Sequence, residues 1–312
     1  MDSTQKAVKN QEICEPLQGN LGITQSSGLD RQATGLCEGT PVVMGGGDGS
    51  CACVGAGVVE VGSAYNILGS SSWISFASNE PYFDDEMRTF NFVHLDSNLY
   101  TPTGTMQAAG YSYSWYRDML CNEERRIADK ENKSVYQLID AGVSRSKPGA
   151  GGMLYLPYLL GERSPRWNHK ARGAFIGMTI STTKDDFARA ILEGVGYNLK
   201  VILDIFDLRE PIKNMLLIGG GAKGGVWQQI LADIWQKPLM IPEYLEEATS
   251  IGAAVCAGVG IGAYSSFSAT KDFNRVVKTV YPNPENFALY QRMYRAFNEA
   301  YYGIENTYEL LW

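Results

Sequence analysis

Three glycine-rich turns constrain this chain more than any other feature, because each follows a short apolar segment typical of a buried strand. They are Gly-Gly-Gly-Asp at residues 45–48, Leu-Gly-Ser-Ser at residues 68–71 and Gly-Gly-Gly-Ala at residues 219–222. A glycine turn at the end of a strand lets backbone N–H groups approach an anion with no Cβ in the way. A helix after such a turn adds unpaired N–H groups and a favourable dipole. One such turn is usually only a tight turn, whereas three in one chain favour a nucleotide site.

The turns match neither of the two commonest nucleotide motifs. No Gly-Lys-Ser or Gly-Lys-Thr follows any of them, as a P-loop requires, and none has the GxGxxG spacing of a dinucleotide site. A phosphate site built from these turns therefore belongs to neither class.

Strand and helix patterns alternate along the chain, which predicts an α/β fold. The segment from Thr183 is the clearest helix, because Thr183 and Asp186 have the spacing of a capping box and apolar residues recur at helical spacing from Phe187 to Ile202. The other predicted helices cover residues 105–120, 132–143, 248–258 and 284–312, with one more from residue 222. The predicted strands lie within residues 41–44, 67–76, 153–156 and 215–218.

Composition excludes several classes of protein. The 312 residues carry a net charge of −7 and a pI near 5.0, which argues against a nucleic-acid partner. The sequence contains no run of about 18 apolar residues, so no membrane span is predicted. The polar residues 1–20 do not resemble a signal peptide. With six cysteines in no disulfide framework and two histidines, we expect reduced thiols, no structural zinc and a cytoplasmic protein.

Asp48 is the side chain of most chemical interest. At the end of a strand and a glycine turn, its carboxylate can be held rigidly beside a phosphate site. Phosphoryl transfer to an alcohol requires positioning, charge neutralisation and a base that accepts the hydroxyl proton. The alternative is structural: Asp48 could cap a helix over residues 52–59. The pattern alone leaves both interpretations open.

Several longer blocks of the sequence agree with one known family. The first block is residues 35–43, which run into the turn at 45–48. The second is Pro-Gly-Ala-Gly-Gly at 148–152, followed by Leu-Pro-Tyr at 156–158 and Gly-Glu-Arg-Ser-Pro at 161–165. The third is residues 173–178, followed by 186–187 and 190–193. Residues 219–223, 227–233 and 247–254 complete the series. In this order, from about residue 20 onward, they resemble the carboxy-terminal domain of the FGGY carbohydrate kinases, in particular the xylulokinase branch.

The resemblance implies an RNase-H-like domain of the actin-like ATPase superfamily (sugar kinases, Hsp70 and actin), with ATP in a cleft between two such domains. It implies that Asp48 is the general base and that Asp48 and Gly49 lie at the sugar. The residues it implies for the ATP phosphates are Gly69, Ser70 and Ser71, and those for the nucleoside side are Gly220, Gly221, Ala222 and Gln228. Mg²⁺ would bridge the phosphates, and no residue is assigned as its ligand.

The resemblance also bears on domain organisation. Residues 41–312 are predicted to form the nucleotide-binding domain, and residues 1–40 a tail or linker from a missing first domain. Family members are about twice as long and carry an Asp-x-Gly-Thr phosphate turn and most sugar contacts in that first domain; no such turn precedes Asp48. The expected partners are therefore a sugar, ATP and the missing domain, and the exposed cleft face favours a homo-oligomer.

The predicted function is ATP-dependent phosphorylation of a small sugar, with xylulose as the first candidate. The alternatives are a kinase for gluconate, glycerol or an autoinducer, and an isolated nucleotide-binding module that is inactive without its partner domain. Many family members have Asn or Gln after the aspartate, whereas this chain has Gly49, so the identity of the sugar stays open. Ser70 stands where Thr is usual and keeps the hydroxyl.

Four other polar residues are candidates of lower rank. Glu162 and Arg163 could contact substrate from the domain edge, although an internal salt bridge or a role in a turn is the simpler interpretation. His169 lies in a polar loop and is predicted to be solvated. His94 is not predicted to be catalytic.

Overall fold

The computed structural model describes residues 23–25, 34–209 and 211–311. Its strands are β1 (Ile23–Gln25), β2 (Pro41–Val43), β3 (Ala64–Leu68), β4 (Ser72–Phe76), β5 (Phe90–Val93), β6 (Tyr100–Met106), β7 (Leu154–Leu156), β8 (Ala174–Ile176), β9 (Met215–Ile218), β10 (Leu239–Pro242) and β11 (Val276–Val280). Its helices are α1 (Asp48–Ala56), α2 (Gly110–Leu120), α3 (Asn122–Glu131), α4 (Val135–Arg145), α5 (Lys184–Asp207), α6 (Gly225–Trp235), α7 (Ala248–Gly260), α8 (Thr270–Phe273) and α9 (Phe287–Leu310). Most of the predicted tail, residues 1–40, lies outside the described residues.

A seven-stranded mixed sheet forms the centre of the molecule. Its strand order is β11-β10-β9-β3-β4-β6-β5. Strand β9 runs parallel to both β10 and β3, whereas the other neighbouring pairs are antiparallel. The chain therefore leaves β3 and β9 at the same edge of the sheet, where two of the glycine-rich turns lie.

Helices cover both faces of this sheet, which explains the unbroken apolar run of β9. Successive side chains of a strand point to opposite faces, so Met215 and Leu217 join the core beneath α5 and α6, while Leu216 and Ile218 join the core beneath α1 and α7. The predicted α/β fold is confirmed.

Helices α1 and α7 are in direct backbone contact. A Cβ built on Gly55 would lie 1.6 Å from the carbonyl oxygen of Ala248, and one built on Gly252 would lie 1.9 Å from that of Cys51. Only glycine at both positions allows this approach. The contact fixes α1, and with it Asp48 at its first residue, against the sheet layer.

The predicted start of α5 is confirmed. The hydroxyl of Thr183 accepts from the N–H of Asp186, and the Asp186 carboxylate accepts from the N–H of Thr183 at 2.8 Å, which is the reciprocal pair of a capping box. The predicted inward stripe is buried at Ile191, Val195 and Leu199 and half-buried at Phe187.

One predicted helix differs from the structure, and two predicted strands are confirmed in small sheets of their own. The helix predicted over residues 105–120 begins at Gly110, because residues 100–106 form β6, whose backbone pairs with β4 on one side and β5 on the other. The strand predicted within 153–156 is β7, which pairs with β8 outside the central sheet. The strand predicted at 41–44 is β2, which pairs with β1 and not with the central sheet. None of the described helices is long and apolar enough to cross a membrane.

Candidate active site

Two of the glycine-rich turns meet at the carboxyl edge of β3 and β9. These parallel strands are neighbours, with Ile67 opposite Ile218. Gly219 has φ +92°, and a Cβ on it would lie 2.7 Å from the carbonyl oxygen of Leu68. A Cβ on Gly221 would lie 2.6 Å from Leu68 Cγ. Glycine is therefore required here for the two turns to pack against each other, at the sheet edge where α/β proteins bind ligands.

The turn after β3 is a hairpin. The N–H of Gly69 donates to the carbonyl of Ser71 at 3.0 Å, and the chain returns as β4. The first N–H groups of α2 donate to this turn: Gly110 to the carbonyl of Gly69 at 2.9 Å and Tyr111 to that of Ser70 at 3.0 Å. These bonds fix the backbone of the turn and leave Ser70 and Ser71 exposed at the sheet edge.

Hydrogen bonds from side chains of β3 and β4 support the turn that carries Asp48. Asp48 is the first residue of α1, and its carboxylate accepts from the N–H of Gly49 at 2.8 Å. The carbonyl of Gly49 accepts from the Tyr65 hydroxyl of β3 at 3.0 Å, and that hydroxyl accepts from Trp73 Nε1 of β4 at 2.8 Å. The helix starts earlier than the segment 52–59 for which Asp48 was considered as a cap, and its N-cap is Gly47. The capping interpretation is therefore wrong.

One cavity brings Asp48 together with the hairpin turn. Asp48 and Ser71 both line a space of about 240 Å³. Its other lining residues are mainly hydroxyl-bearing or aromatic: Gly49, Tyr65, Ser72, Trp73, Ser75, Phe90, Phe92, Thr101, Thr103, Thr105, Met106, Gln107 and Arg163. Several of these hydroxyls are paired within the protein, as Ser75 is with Thr103, whereas the buried Thr105 Oγ1 has no partner in the described part of the chain. Hydroxyl groups both donate and accept hydrogen bonds, so the unpaired ones can bind a polar ligand. Asp48 also borders a second, more open space of about 360 Å³.

The third turn forms a short 3-10 helix over Gly220–Lys223, in which Ala222 is buried and Gly220 exposed. Gln228 lies beneath it in α6. Its Nε2 donates to the carbonyl of Ala222 at 2.6 Å, and its Oε1 accepts from Lys278 Nζ at 2.8 Å. Both ends of the Gln228 amide are thus committed within the protein, and the side chain supports the turn from below.

The two histidines lie in different surroundings. His94 is buried; its Nδ1 accepts from the N–H of Asp96 at 2.9 Å, so its Nε2–H donates to the carbonyl of Val58 at 2.9 Å. Burial lowers the pKa of His94, which keeps the ring neutral. His169 is exposed.

Glu162 has an internal role. It is 3% exposed, and its Oε1 accepts from the backbone N–H groups of Gln107 and Arg163, each at 2.9 Å. Its Oε2 accepts from Asn198 Nδ2 at 3.0 Å. Burial raises the pKa of Glu162 to about 8, although these three donors oppose the shift. The carboxyl therefore joins the end of β6 to the loop that carries Arg163.

Sequence reasoning missed Gln107 and the threonines of β6 as cavity residues. Nothing in their local pattern marks them, because they reach the cavity only through the pairing of β6 with β4.

Within the described ranges, no group of three or more His, Cys, Asp or Glu side chains could hold a metal ion. Mg²⁺ commonly binds through one or two carboxylates together with substrate phosphates, and Asp48 is the carboxylate in the cavity.

Comparison with known proteins identifies the family. The model of the carboxy-terminal domain of the FGGY family of carbohydrate kinases matches residues 64–261. The chain belongs to the FGGY family of carbohydrate kinases.

Its relatives within the family act on different substrates. The chain is 34% identical over 271 residues to a xylulose kinase from Staphylococcus epidermidis, across 86% of this chain and 52% of that protein. It is also 34% identical over 282 residues to an autoinducer-2 kinase from Escherichia coli, across 87% and 51%, and it matches gluconokinases. The chain thus spans about half the length of these relatives.

The solved structures agree on the fold. A xylulose kinase from Lactobacillus acidophilus superimposes with a TM-score of 0.82 at 23% identity, over 92% of this chain and 56% of that one. This likeness confirms the predicted RNase-H-like domain of the actin-like ATPase fold.

Proposed function

We propose that this chain forms the nucleotide-binding half of a kinase that transfers a phosphoryl group from ATP to a hydroxyl of a small sugar. The observation that carries the proposal is the shared cavity, in which Asp48 and Ser71 line one hydroxyl-rich space. A carboxylate beside a phosphate turn supplies the base and the positioning that phosphoryl transfer to an alcohol requires.

The residues near this edge of the sheet fit a polyphosphate nucleotide. Nothing lies within 4 Å of a Cβ built on Gly45, Gly47 or Gly49, so open space adjoins the backbone beside Asp48. Ser70 and Ser71 are exposed on a rigid hairpin, and Gly220 is exposed on the neighbouring turn. In the proposal, Gly69, Ser70 and Ser71 bind the phosphates. The nucleoside side is bound by Gly220, Gly221 and Ala222, with Gln228 supporting the turn. Mg²⁺ bridging the phosphates remains a prediction.

Xylulose is the first candidate for the sugar, in agreement with the resemblance of the sequence to the xylulokinase branch. Equal identity to a xylulose kinase and to an autoinducer-2 kinase keeps other substrates as alternatives, as do the gluconokinase relatives. In the proposal, Asp48 and Gly49 contact the sugar. A cytoplasmic location also remains a prediction.

A second candidate is a nucleotide-binding module that is inactive without a partner domain. The chain spans about half the length of its relatives, and the rim of the Asp48 cavities exposes Phe92 at 49% and Val93 at 69%. Exposed apolar side chains at a cleft favour contact with another domain, which we propose to be the missing amino-terminal kinase domain.

The test compares Asp48→Asn with the matched control Asp129→Asn, an exposed carboxylate on α3. Mg²⁺-ADP binding is measured by calorimetry, and ADP release is measured with xylulose, gluconate, glycerol and an autoinducer. Loss of the general base should lower sugar-dependent ADP release roughly 100-fold or more, while nucleotide affinity stays within about twofold. Asp129→Asn should change neither quantity.

Each result separates the candidates. Nucleotide binding without ADP release on any sugar, followed by release when an amino-terminal kinase domain is added, would establish the module interpretation. Loss of nucleotide binding in Asp48→Asn would show that Asp48 is structural, and the proposed role as base would be abandoned.

A further inference from the structure

Arg163, a candidate of lower rank from its sequence, lines the same cavity as Asp48. Of the described residues that line this cavity, Arg163 alone is positively charged and Asp48 alone is negatively charged. Ser71 of the predicted phosphate turn lines the same space. Arg163 therefore borders the space that the proposed base and the proposed phosphate turn also line.

The guanidinium of Arg163 is uncommitted. Its side chain is exposed, and within the described part of the chain it has neither a hydrogen-bond acceptor nor an ion-pair partner. Two other arginines, by contrast, are committed within the protein: Arg88 pairs with Asp84 at 2.7 Å, and Arg189 pairs with Glu193 at 2.7 Å. All five N–H donors of Arg163 thus remain for a ligand.

The backbone at Arg163 is held rigidly although the side chain is free. The buried Glu162 carboxyl group accepts from the N–H of Arg163 and from that of Gln107, a second cavity residue. Asn198 holds the other oxygen of Glu162 and accepts from the Tyr158 hydroxyl at 3.1 Å. Tyr158 and Asn198 are fully buried. A rigid support of this kind lowers the entropic cost of placing a guanidinium against an anion.

We propose that Arg163 contacts the phosphoryl group that passes from the nucleotide to the sugar. Guanidinium groups bind phosphate oxygens through paired, charge-assisted hydrogen bonds, and an arginine at this position stabilises the charge on the equatorial oxygens during transfer. ADP lacks this terminal phosphate, so the proposed contact should favour a triphosphate over a diphosphate. This inference rests on the proposed nucleotide site.

The test measures the preference of the chain for a triphosphate over a diphosphate. Mg²⁺-ADP and the Mg²⁺ complex of the non-hydrolysable ATP analogue AMP-PNP are titrated into the wild type and into Arg163→Gln, Arg163→Lys and Arg292→Gln. Arg292 is an exposed arginine of α9 that does not line the cavity, so its variant matches the change in charge.

Loss of a charged hydrogen-bond donor should lower AMP-PNP affinity roughly tenfold or more in Arg163→Gln, while ADP affinity stays within about twofold. Arg163→Lys keeps the positive charge but lacks the paired N–H donors of a guanidinium, so it should retain part of the preference for AMP-PNP over ADP. Arg292→Gln should match the wild type. An equal loss for ADP and AMP-PNP in Arg163→Gln, or no loss for either, would overturn the inference.

A second measurement tests the contact between Arg163 and a phosphate anion, with a ligand that carries no nucleoside. Phenylglyoxal modifies accessible arginines, and peptide mass spectrometry reports the extent at Arg163 and Arg292 with and without inorganic tripolyphosphate. Protection of Arg163 but not of Arg292 supports the anion contact. If the wild type binds neither nucleotide, the proposed function fails, and this protection still tests Arg163. Unprotected Arg163 would refute the contact.

Discussion

Replacing Gly252 with alanine tests whether the backbone contact between α1 and α7 holds the helix that carries Asp48. The new Cβ would lie 1.9 Å from the carbonyl oxygen of Cys51, whereas ordinary van der Waals contact begins at 3.4 Å. Moving a flexible side chain aside cannot relieve this clash, because the three nearest atoms all belong to the backbone of Cys51 and Gly55. The helices must therefore separate by about 1.5 Å, or one must shift along the other.

Two effects of opposite sign determine the magnitude. Alanine is favoured over glycine in a helix interior by about 1 kcal/mol. Overpacking costs about 1–3 kcal/mol, and rigid backbone on both sides favours the upper end of that range. Separation also opens the buried cluster around Val54 and Val255. We expect Gly252→Ala to lower the free energy of unfolding by about 2 kcal/mol or more.

Gly303→Ala is the matched control. Gly303 lies within α9, and nothing lies within 4 Å of a Cβ built on it. The same substitution should therefore raise the free energy of unfolding by about 0.5–1 kcal/mol through helix propensity alone. Urea denaturation followed by far-UV circular dichroism measures both variants against the wild type.

The opposite signs make the comparison decisive. If Gly252→Ala were as stable as Gly303→Ala, α1 and α7 would not be in the contact described, and the argument that this contact positions Asp48 would be refuted.

Two further predictions concern buried charges. Because burial raises the pKa of Glu162 to about 8, the native state keeps a proton that the unfolded chain loses near its ordinary pKa. The free energy of unfolding should therefore fall by a few kcal/mol as the pH rises from about 5 to about 8. The Glu162→Gln variant should lack this fall. If urea denaturation gave the wild type and the variant the same dependence of unfolding free energy on pH, the prediction would be contradicted. Arg189→Met should lower the free energy of unfolding by about 3–5 kcal/mol, because it leaves the buried Glu193 carboxylate without its cation. Arg189→Met/Glu193→Gln should recover part of the loss, and a double variant no more stable than the single one would contradict this account.

Much of the secondary structure could be predicted because its signals are local. The capping box at Thr183 and Asp186 and the stripe behind it depend on residues within a few positions of one another. The apolar run of residues 215–218 predicted a short buried strand, which is β9. Local patterns misled where pairing partners decide: residues 100–106 form β6 because β4 and β5 lie on either side.

The candidate site likewise has some features that a local sequence pattern predicts and others that depend on tertiary contacts. The glycine turns, Asp48 and the family of the chain follow from the sequence by itself, because glycine and a carboxylate after a strand leave a short, ordered signature. That the turns after β3 and β9 touch was decided only by the parallel pairing of two strands about 150 residues apart. The same holds for Gln107 and Arg163, which distant segments bring to Asp48. Contacts between residues far apart in the chain leave no periodic trace in either segment, so only the tertiary structure could reveal them.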